Sequence, residues 1–172
     1  MTSSATWGQV RYGPGVPAEP SAAGVRRRSR GRTCGVDPGK ARVGVAIDDE
    51  LGVLAHPRGA LDGRNRKAVL AALRTLADDA GVVRFVVGLP LDMRGGEGAA
   101  AREARSFAQG LADATGREVI LWDERLSTVQ AKRSLDASER RGKKARMRID
   151  EAAACTILQA WIDSRASGAP SA

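Results

Sequence analysis

Aromatic residues are scarce in this chain. Phe, Tyr and Trp together make up 3% of 172 residues. A core must therefore rest on Val, Leu, Ile and Ala, and the apolar share of 42% is enough for one. Only two cysteines occur, Cys34 and Cys155, far apart in sequence. Their number and spacing exclude a zinc cluster and a disulfide framework. They read as two buried thiols of a reducing cytosol, with a bridge within or between chains left open. The single histidine, His56, falls in a strand context and reads as structural, so hydrolysis with histidine as base is not indicated. No run approaches the roughly 18 apolar residues of a membrane span. The N-terminus has no apolar stretch after its charges, which excludes a signal peptide. A cytoplasmic protein with no membrane partner is expected.

What the chain has in excess is positive charge, with a formal net charge of +8. Residues 1–32 hold Arg11, Arg26, Arg27, Arg28, Arg30 and Arg32 against Glu19 alone. A basic segment of this kind suits an anionic partner such as nucleic acid, or serves only as a solvated tail. Residues 1–31 are rich in Gly, Pro, Ser and Arg without apolar periodicity, which predicts a disordered basic arm. Residues 32–165 read as one domain and residues 166–172 as a flexible tail.

Within the domain, Thr33–Asp37 and Arg42–Ile47 predict a hairpin around Pro38-Gly39-Lys40. A third strand is expected over Val53–Leu61, bent at Pro57. Val69, Leu70, Leu73, Leu76 and Ala77 recur at helical spacing, so Asn65–Ala80 is a helix stopped by Gly81. Val82–Val87 is an almost wholly apolar run, as in a buried parallel strand. Glu97–Ala114 is a second helix and Glu118–Trp122 a fifth strand. A short helix is expected over Ser127–Leu135, then a mobile basic stretch over Asp136–Arg148. The last helix, Ile149–Ser164, carries Ile149, Ala153, Ile157 and Trp161 on one stripe. The order βββαβαβαα predicts an α/β fold: a mixed five-stranded sheet with helices on both faces.

Three acidic positions stand where a strand ends or a helix begins: Asp37, the pair Asp123-Glu124, and Asp150. Asp suits turns, yet Asp37 directly follows four strand residues, and a carboxylate near the centre of a sheet is costly unless it binds something. Glu118–Trp122 is expected to neighbour the first strand. Side chains alternate along a strand, so only one of Asp123 and Glu124 can share a face with Asp37. Glu124 is the preferred ligand, Asp123 the second choice, and a surface pairing with Arg125 the plain alternative. Asp150 is expected to open the last helix, where an acid also stabilises the macrodipole. If these groups converge, their oxygens suit hard cations such as Mg2+ or Mn2+. Two such ions about 4 Å apart can activate water and stabilise the leaving oxygen of a phosphodiester.

Basic residues flank every one of these positions: Lys40 and Arg42 in the hairpin, Arg94 in the Gly-rich loop 88–98, and Arg125 beside the acidic pair. Arg140, Arg141, Lys143, Lys144, Arg146 and Arg148 run up to Asp150. They read as contacts to a sugar-phosphate backbone. The Gly-rich loop leaves the carboxyl end of a strand and leads into a helix, a place where α/β sheets bind anionic ligands.

Four segments carry a family resemblance: Val36–Ala46 (VDPGKARVGVA), Gly88–Gly95 (GLPLDMRG), Asp123–Ala131 (DERLSTVQA) and Ile149–Gln159 (IDEAAACTILQ). In this order, over roughly residues 32–165, they resemble the bacterial YqgF/RuvX family, with the arm outside the resemblance. The resemblance implies an RNase H-like (resolvase-like) fold, a cytoplasmic location and a divalent-metal-dependent nuclease. Its substrates would be pre-16S ribosomal RNA, trimmed at the 5′ end, or four-way DNA junctions. It implies catalytic and metal-binding roles for Asp37, Glu124 and Asp150, with Asp123 as a further metal ligand. In RuvC-type relatives a fourth metal-side group stands one helical turn before the last Asp, where this chain has Met147.

Two other readings compete. Asp37-Pro-Gly-Lys-Ala-Arg-Val-Gly also looks like the first phosphate loop of actin- and sugar-kinase-type ATPases, but those need a second similar hairpin and a second domain. A catalytically weak nucleic-acid-binding module would keep the basic segments and not the cleavage. Junction resolution requires paired cuts, hence a homodimer, whereas trimming an RNA end requires one subunit.

Overall fold

Val, Ile and small residues dominate Arg32–Pro38 and Arg42–Asp48, and β-branched residues fit a pleated, buried surface. In the computed structural model the two segments pair antiparallel around Gly39. The structure describes residues 10–13, 31–92, 96–126 and 142–166, the last without the side chains of 142–151. In chain order the strands are β1 (Val10–Tyr12), β2 (Arg32–Pro38), β3 (Arg42–Asp48), β4 (Ala55–Asp62), β5 (Val82–Leu89) and β6 (Glu118–Asp123). The helices are α1 (Arg66–Ala80), α2 (Ala99–Thr115) and α3 (Gly142–Ala166), and Glu124–Leu126 form one 3-10 turn.

The sheet runs in the order β1-β6-β5-β2-β3-β4. β2, β5, β6 and β1 are parallel neighbours, while β3 and β4 complete an antiparallel meander. Pleat alternation sends Cys34, Val36, Val45, Ile47, Phe85, Val87, Val119 and Leu121 to one face. There they form a core with Val69, Leu73 and Ala77 of α1 and Phe107, Ala108 and Leu111 of α2. The opposite face presents Ala46, Val86 and Trp122 to Ala154, Ile157, Leu158, Trp161 and Ile162 of α3. Helices thus cover both faces, as expected. The two thiols part company: Cys34 lies in the first core and Cys155 beside the second. Among the described residues no helix is long and apolar enough to cross a membrane.

The helix boundaries follow local chemistry. Asn65 Oδ1 accepts the Ala68 N–H at 3.1 Å and caps α1. Gly81 ends it in the left-handed region at φ +67°, a backbone angle that costs a glycine little. The bend expected at Pro57 is a β-bulge: Val45 pairs with Gly59 and Ala46 with Pro57, so Arg58 is the extra residue.

Four expectations need correction. Among the described residues the sheet has six strands, because Val10–Tyr12, within the segment expected to be disordered, pairs with β6. Arg11 reaches Glu118 at 3.0 Å, and the Gly13 N–H donates to the Leu121 carbonyl at 2.7 Å. Local composition does not reveal such a strand, since its partner supplies the order. Secondly, β6 does not neighbour β2; β5 lies between them. Thirdly, α3 begins at Gly142, inside the stretch expected to be mobile. Lys143, Lys144, Ala145, Arg146, Met147 and Arg148 are all strong helix formers, and their like charges do not outweigh that preference. Finally, His56 lies exposed on β4 and not in a structural setting of the core. The helix expected over Ser127–Leu135 lies outside the described residues.

Candidate active site

The carboxyl ends of β2, β5 and β6 gather the acidic residues. Asp37 follows the buried Thr33–Val36 stretch of β2. By pleat parity it shares the α3-facing side with Gly35, against which α3 packs. A Cβ on Gly35 would stand 2.7 Å from Leu158 Cβ and 2.9 Å from the Ala154 carbonyl. The register Val36–Val87 and Gly88–Trp122 places Gly88 of β5 between Asp37 and the end of β6. Gly88 presents no side chain there, and Glu124 occupies the space. A Cβ on Gly88 would lie 2.5 Å from Glu124 Oε1 and 2.6 Å from Ile157 Cδ1.

Glu124 is close enough to Asp37 to feel its charge. Burial pushes the Glu124 carboxyl up to about 7, and the Asp37 and Asp123 charges add to the effect. An oxygen-rich pair whose ionisation is opposed by burial and like charge is the donor chemistry that a hard divalent cation relieves. The residues present therefore fit such an ion.

Asp123 takes another part. It shares pleat parity with Val119 and Leu121, which face the α1–α2 core, and only 1% of its surface is exposed. Its Oδ1 accepts the Arg125 backbone N–H at 2.9 Å, while the guanidinium of Arg125 donates to its Oδ2 through Nη2 at 2.5 Å. Arg125 Nη1 also donates to the Asp92 carbonyl at 3.4 Å. The carboxylate so closes the 3-10 turn that follows β6, and this turn carries Glu124 to the other face. Asp123 does pair with Arg125, but as a buried carboxylate and not as the surface pair that sequence offered as the plain alternative.

Asp150 is not the opening residue of its helix. It lies in the third turn of α3, beyond the reach of the helix N-terminus, so a macrodipole role falls away. Its position is one turn before Ala154 on the same helix face. The contacts Ile157 to Gly88 and Trp161 to Arg84 show α3 running against β5. Position 150 is therefore on the side of the strand carboxyl ends, where Asp37 and Glu124 are. The side chains of Asp150, Lys143, Lys144, Arg146 and Arg148, and the whole of Arg94, Arg140 and Arg141, lie outside what is described. Among the described residues no group of three Asp, Glu, His or Cys side chains forms a metal cluster.

Of the described basic candidates, Lys40 is 81% exposed at the hairpin tip and pairs with Glu103 at 3.2 Å. Arg42 opens β3 and is half-buried. Arg125 is held by Asp123. In the Gly-rich loop, Asp92 and Gly96 close a turn, the Asp92 N–H donating to the Gly96 carbonyl at 3.1 Å and the Gly96 N–H to Asp92 Oδ1 at 2.6 Å. Sequence reasoning missed Gly88 and Ile157 as walls of the site. The available signal was a glycine ending an otherwise apolar strand.

Known proteins resemble this chain both in sequence and in fold. The RuvX family model, described as Holliday junction resolvase, matches residues 31–164. A protein of Anaeromyxobacter sp. (strain Fw109-5) named "Putative pre-16S rRNA nuclease" is 45% identical over 134 residues, 78% of this chain and 98% of its own length. A protein of Streptomyces coelicolor with the same name is 45% identical over 157 residues, 90% of this chain and 93% of its own length. That match is too long to fit within residues 32–165, so it takes in part of the arm, which was expected to stand outside any resemblance. Among solved structures, T. thermophilus RuvC in complex with a Holliday junction substrate superposes with a TM-score of 0.55 at 13% identity, covering 81% of this chain and 98% of that one. A second Thermus thermophilus RuvC structure gives 0.51 at 15% identity, with the same coverage of both chains. At such identities the likeness is one of fold, and the fold is the RNase H-like α/β architecture of the resolvases.

Proposed function

The chain belongs to the RuvX family, and from that premise we propose that it is a divalent-metal-dependent nuclease that hydrolyses phosphodiester bonds in structured nucleic acid. Its favoured substrate is the 5′ leader of pre-16S ribosomal RNA, in the cytoplasm. The relatives at 45% identity that span nearly their whole length support RNA. The second substrate, a four-way DNA junction, has support in the family description and in the RuvC fold, and it would require a homodimer.

The observation that carries the reading is the meeting of Asp37 and Glu124 on one face across Gly88, with a Glu124 carboxyl that resists ionisation. Asp37, Glu124 and Asp150 would hold Mg2+ or Mn2+, and Asp123 would act through Arg125. A bound divalent cation supplies Lewis acidity for in-line attack of water on phosphorus. The protein's own contribution is placement. β2 fixes Asp37 at the sheet centre, and the turn closed by Asp123 and Arg125 aims Glu124. Ile157 keeps the wall beside Gly88 apolar and raises the strength of the site's electrostatics. Lys40, with the basic residues of α3, would draw in the phosphate backbone.

The test is cleavage of a pre-16S leader and of a four-way junction side by side with Mg2+ or Mn2+, with molecular mass measured in the same buffer. Metal-dependent cleavage of the leader by a monomer supports the favoured substrate, and paired cuts by a dimer support the junction. Binding of either nucleic acid without cleavage at any metal concentration would overturn the nuclease reading in favour of a binding module.

A further inference from the structure

β6 and β2 are not neighbours, so a carboxylate at the end of β6 has to cross β5 to share a site with Asp37. The register puts one residue of β5 in the way, and that residue is Gly88. On the α3-facing side the neighbouring position along β5 is Val86, whose side chain packs on α3. A side chain at 88 of even one carbon would meet Glu124 Oε1 at 2.5 Å and Glu124 Cδ at 3.3 Å. Real Cβ atoms do not approach that closely, so the Glu124 carboxyl and the tip of Ile157 must both shift. Asp123 and Arg125 close the short turn that holds the Glu124 backbone, so on that side the shift falls on the Glu124 carboxyl group. The Gly88 backbone angle is not in the left-handed region, so conformational freedom does not explain a glycine there. The space it leaves does.

We propose that Gly88 is a positioning residue, whose missing side chain lets Glu124 cross the intervening strand and share one cation site with Asp37. The inference rests on the reading of Asp37 and Glu124 as metal-binding carboxylates, and it concerns their placement, not the bond that is cut. Gly88→Ala keeps the strand and adds one methyl. The methyl has two neighbours, Glu124 and Ile157, and these are separable. Ile157→Val removes the Cδ1 atom on one side, whereas Glu124→Asp shortens the acid on the other.

The experiment measures Mn2+ affinity by electron paramagnetic resonance and the metal-free melting temperature. The proteins are wild type and Gly88→Ala, Ile157→Val with and without Gly88→Ala, and Glu124→Asp with and without Gly88→Ala. Gly88→Ala is expected to weaken Mn2+ binding about tenfold, the scale seen when a group supporting a metal ligand is disturbed. Ile157→Val is expected to return the melting temperature but not the affinity. In the Glu124→Asp background Gly88→Ala is expected to cost less affinity than in wild type, a coupling between contacting residues. Unchanged affinity in Gly88→Ala, full recovery of affinity by Ile157→Val, or an equal cost in both backgrounds would overturn the proposal, since Gly88 would then serve only packing. A wild type that binds no Mn2+ overturns it too. Should Gly88→Ala alone not fold, the Ile157→Val background carries the same comparisons. Mn2+ binding that obeys these expectations without cleavage of RNA or DNA would sink the nuclease reading and leave the role of Gly88 standing.

Discussion

The Asp123 carboxylate, buried beneath the end of β6, holds the guanidinium of Arg125 with an Nη2–Oδ2 separation of 2.5 Å. Two residues on, the same arginine's backbone N–H returns to the same carboxylate. Removing Arg125 would leave a buried acid without its counter-charge, which is costly, whereas removing Asp123 leaves a guanidinium that water can reach.

Replacing Asp123 by Ala or Arg125 by Ala should lower stability by about 1–3 kcal/mol, because each leaves a polar group of the turn without its partner. Denaturant titration measures the loss. Asp123→Asn keeps an acceptor for the Arg125 N–H, so it should retain Mn2+ affinity within a few-fold. A collapse of Mn2+ binding in Asp123→Asn would make Asp123 a ligand after all.

Single replacements Asp37→Asn, Glu124→Gln and Asp150→Asn should each reduce cleavage on the order of 100-fold or more while the protein stays folded. Initial rates on the RNA leader and the DNA junction check this, with circular dichroism as the control for folding. Undiminished cleavage in any one of the three removes that residue from the site.

Glu124 gives the metal-free protein a distinctive pH dependence. Its folded carboxyl titrates at about 7, above the ordinary value of 4.5 that an unfolded chain would show. Between those two values the folded state holds more protons than the unfolded one, so stability falls as pH rises through that window and levels off above it. Glu124→Gln removes the charge and should make the metal-free protein more stable than wild type at pH 8, on the order of 1–3 kcal/mol, with the difference vanishing below pH 4.5. Urea midpoints in chelator at pH 4, 6 and 8 provide the readout. A constant difference across that range would contradict it.

The ion pair of Lys40 with Glu103 is highly exposed, and such pairs are worth at most about 1 kcal/mol. Lys40→Ala should therefore leave stability nearly unchanged. It should weaken nucleic-acid binding uniformly across sequences and lower the salt slope by about one, as loss of one phosphate contact requires. Binding isotherms at several salt concentrations decide the matter, and an unaltered slope would take Lys40 out of the interface.

Legibility from sequence followed the range of the forces involved. The hairpin of β2 and β3, the capped helix α1 with its Gly81 stop and the buried strand β5 all rest on periodicity or capping. Each of these is settled within a few residues, and each matches the structure. β1 was not legible, because three residues of an arm become a strand only when the β6 edge accepts them. The start of α3 is not legible either, because helix propensity there competes with a run of like charge. Nor is the neighbour of β2, because strand order depends on which helices must cover which face. Chain chemistry alone determined that acids would stand at strand ends amid basic residues, since alternation and turn preference are local. Only the tertiary structure decided that β5 would separate β6 from β2, and that a glycine would stand in the gap through which Glu124 meets Asp37. Strand order and side-chain clearance are products of long-range packing, which no window of sequence contains.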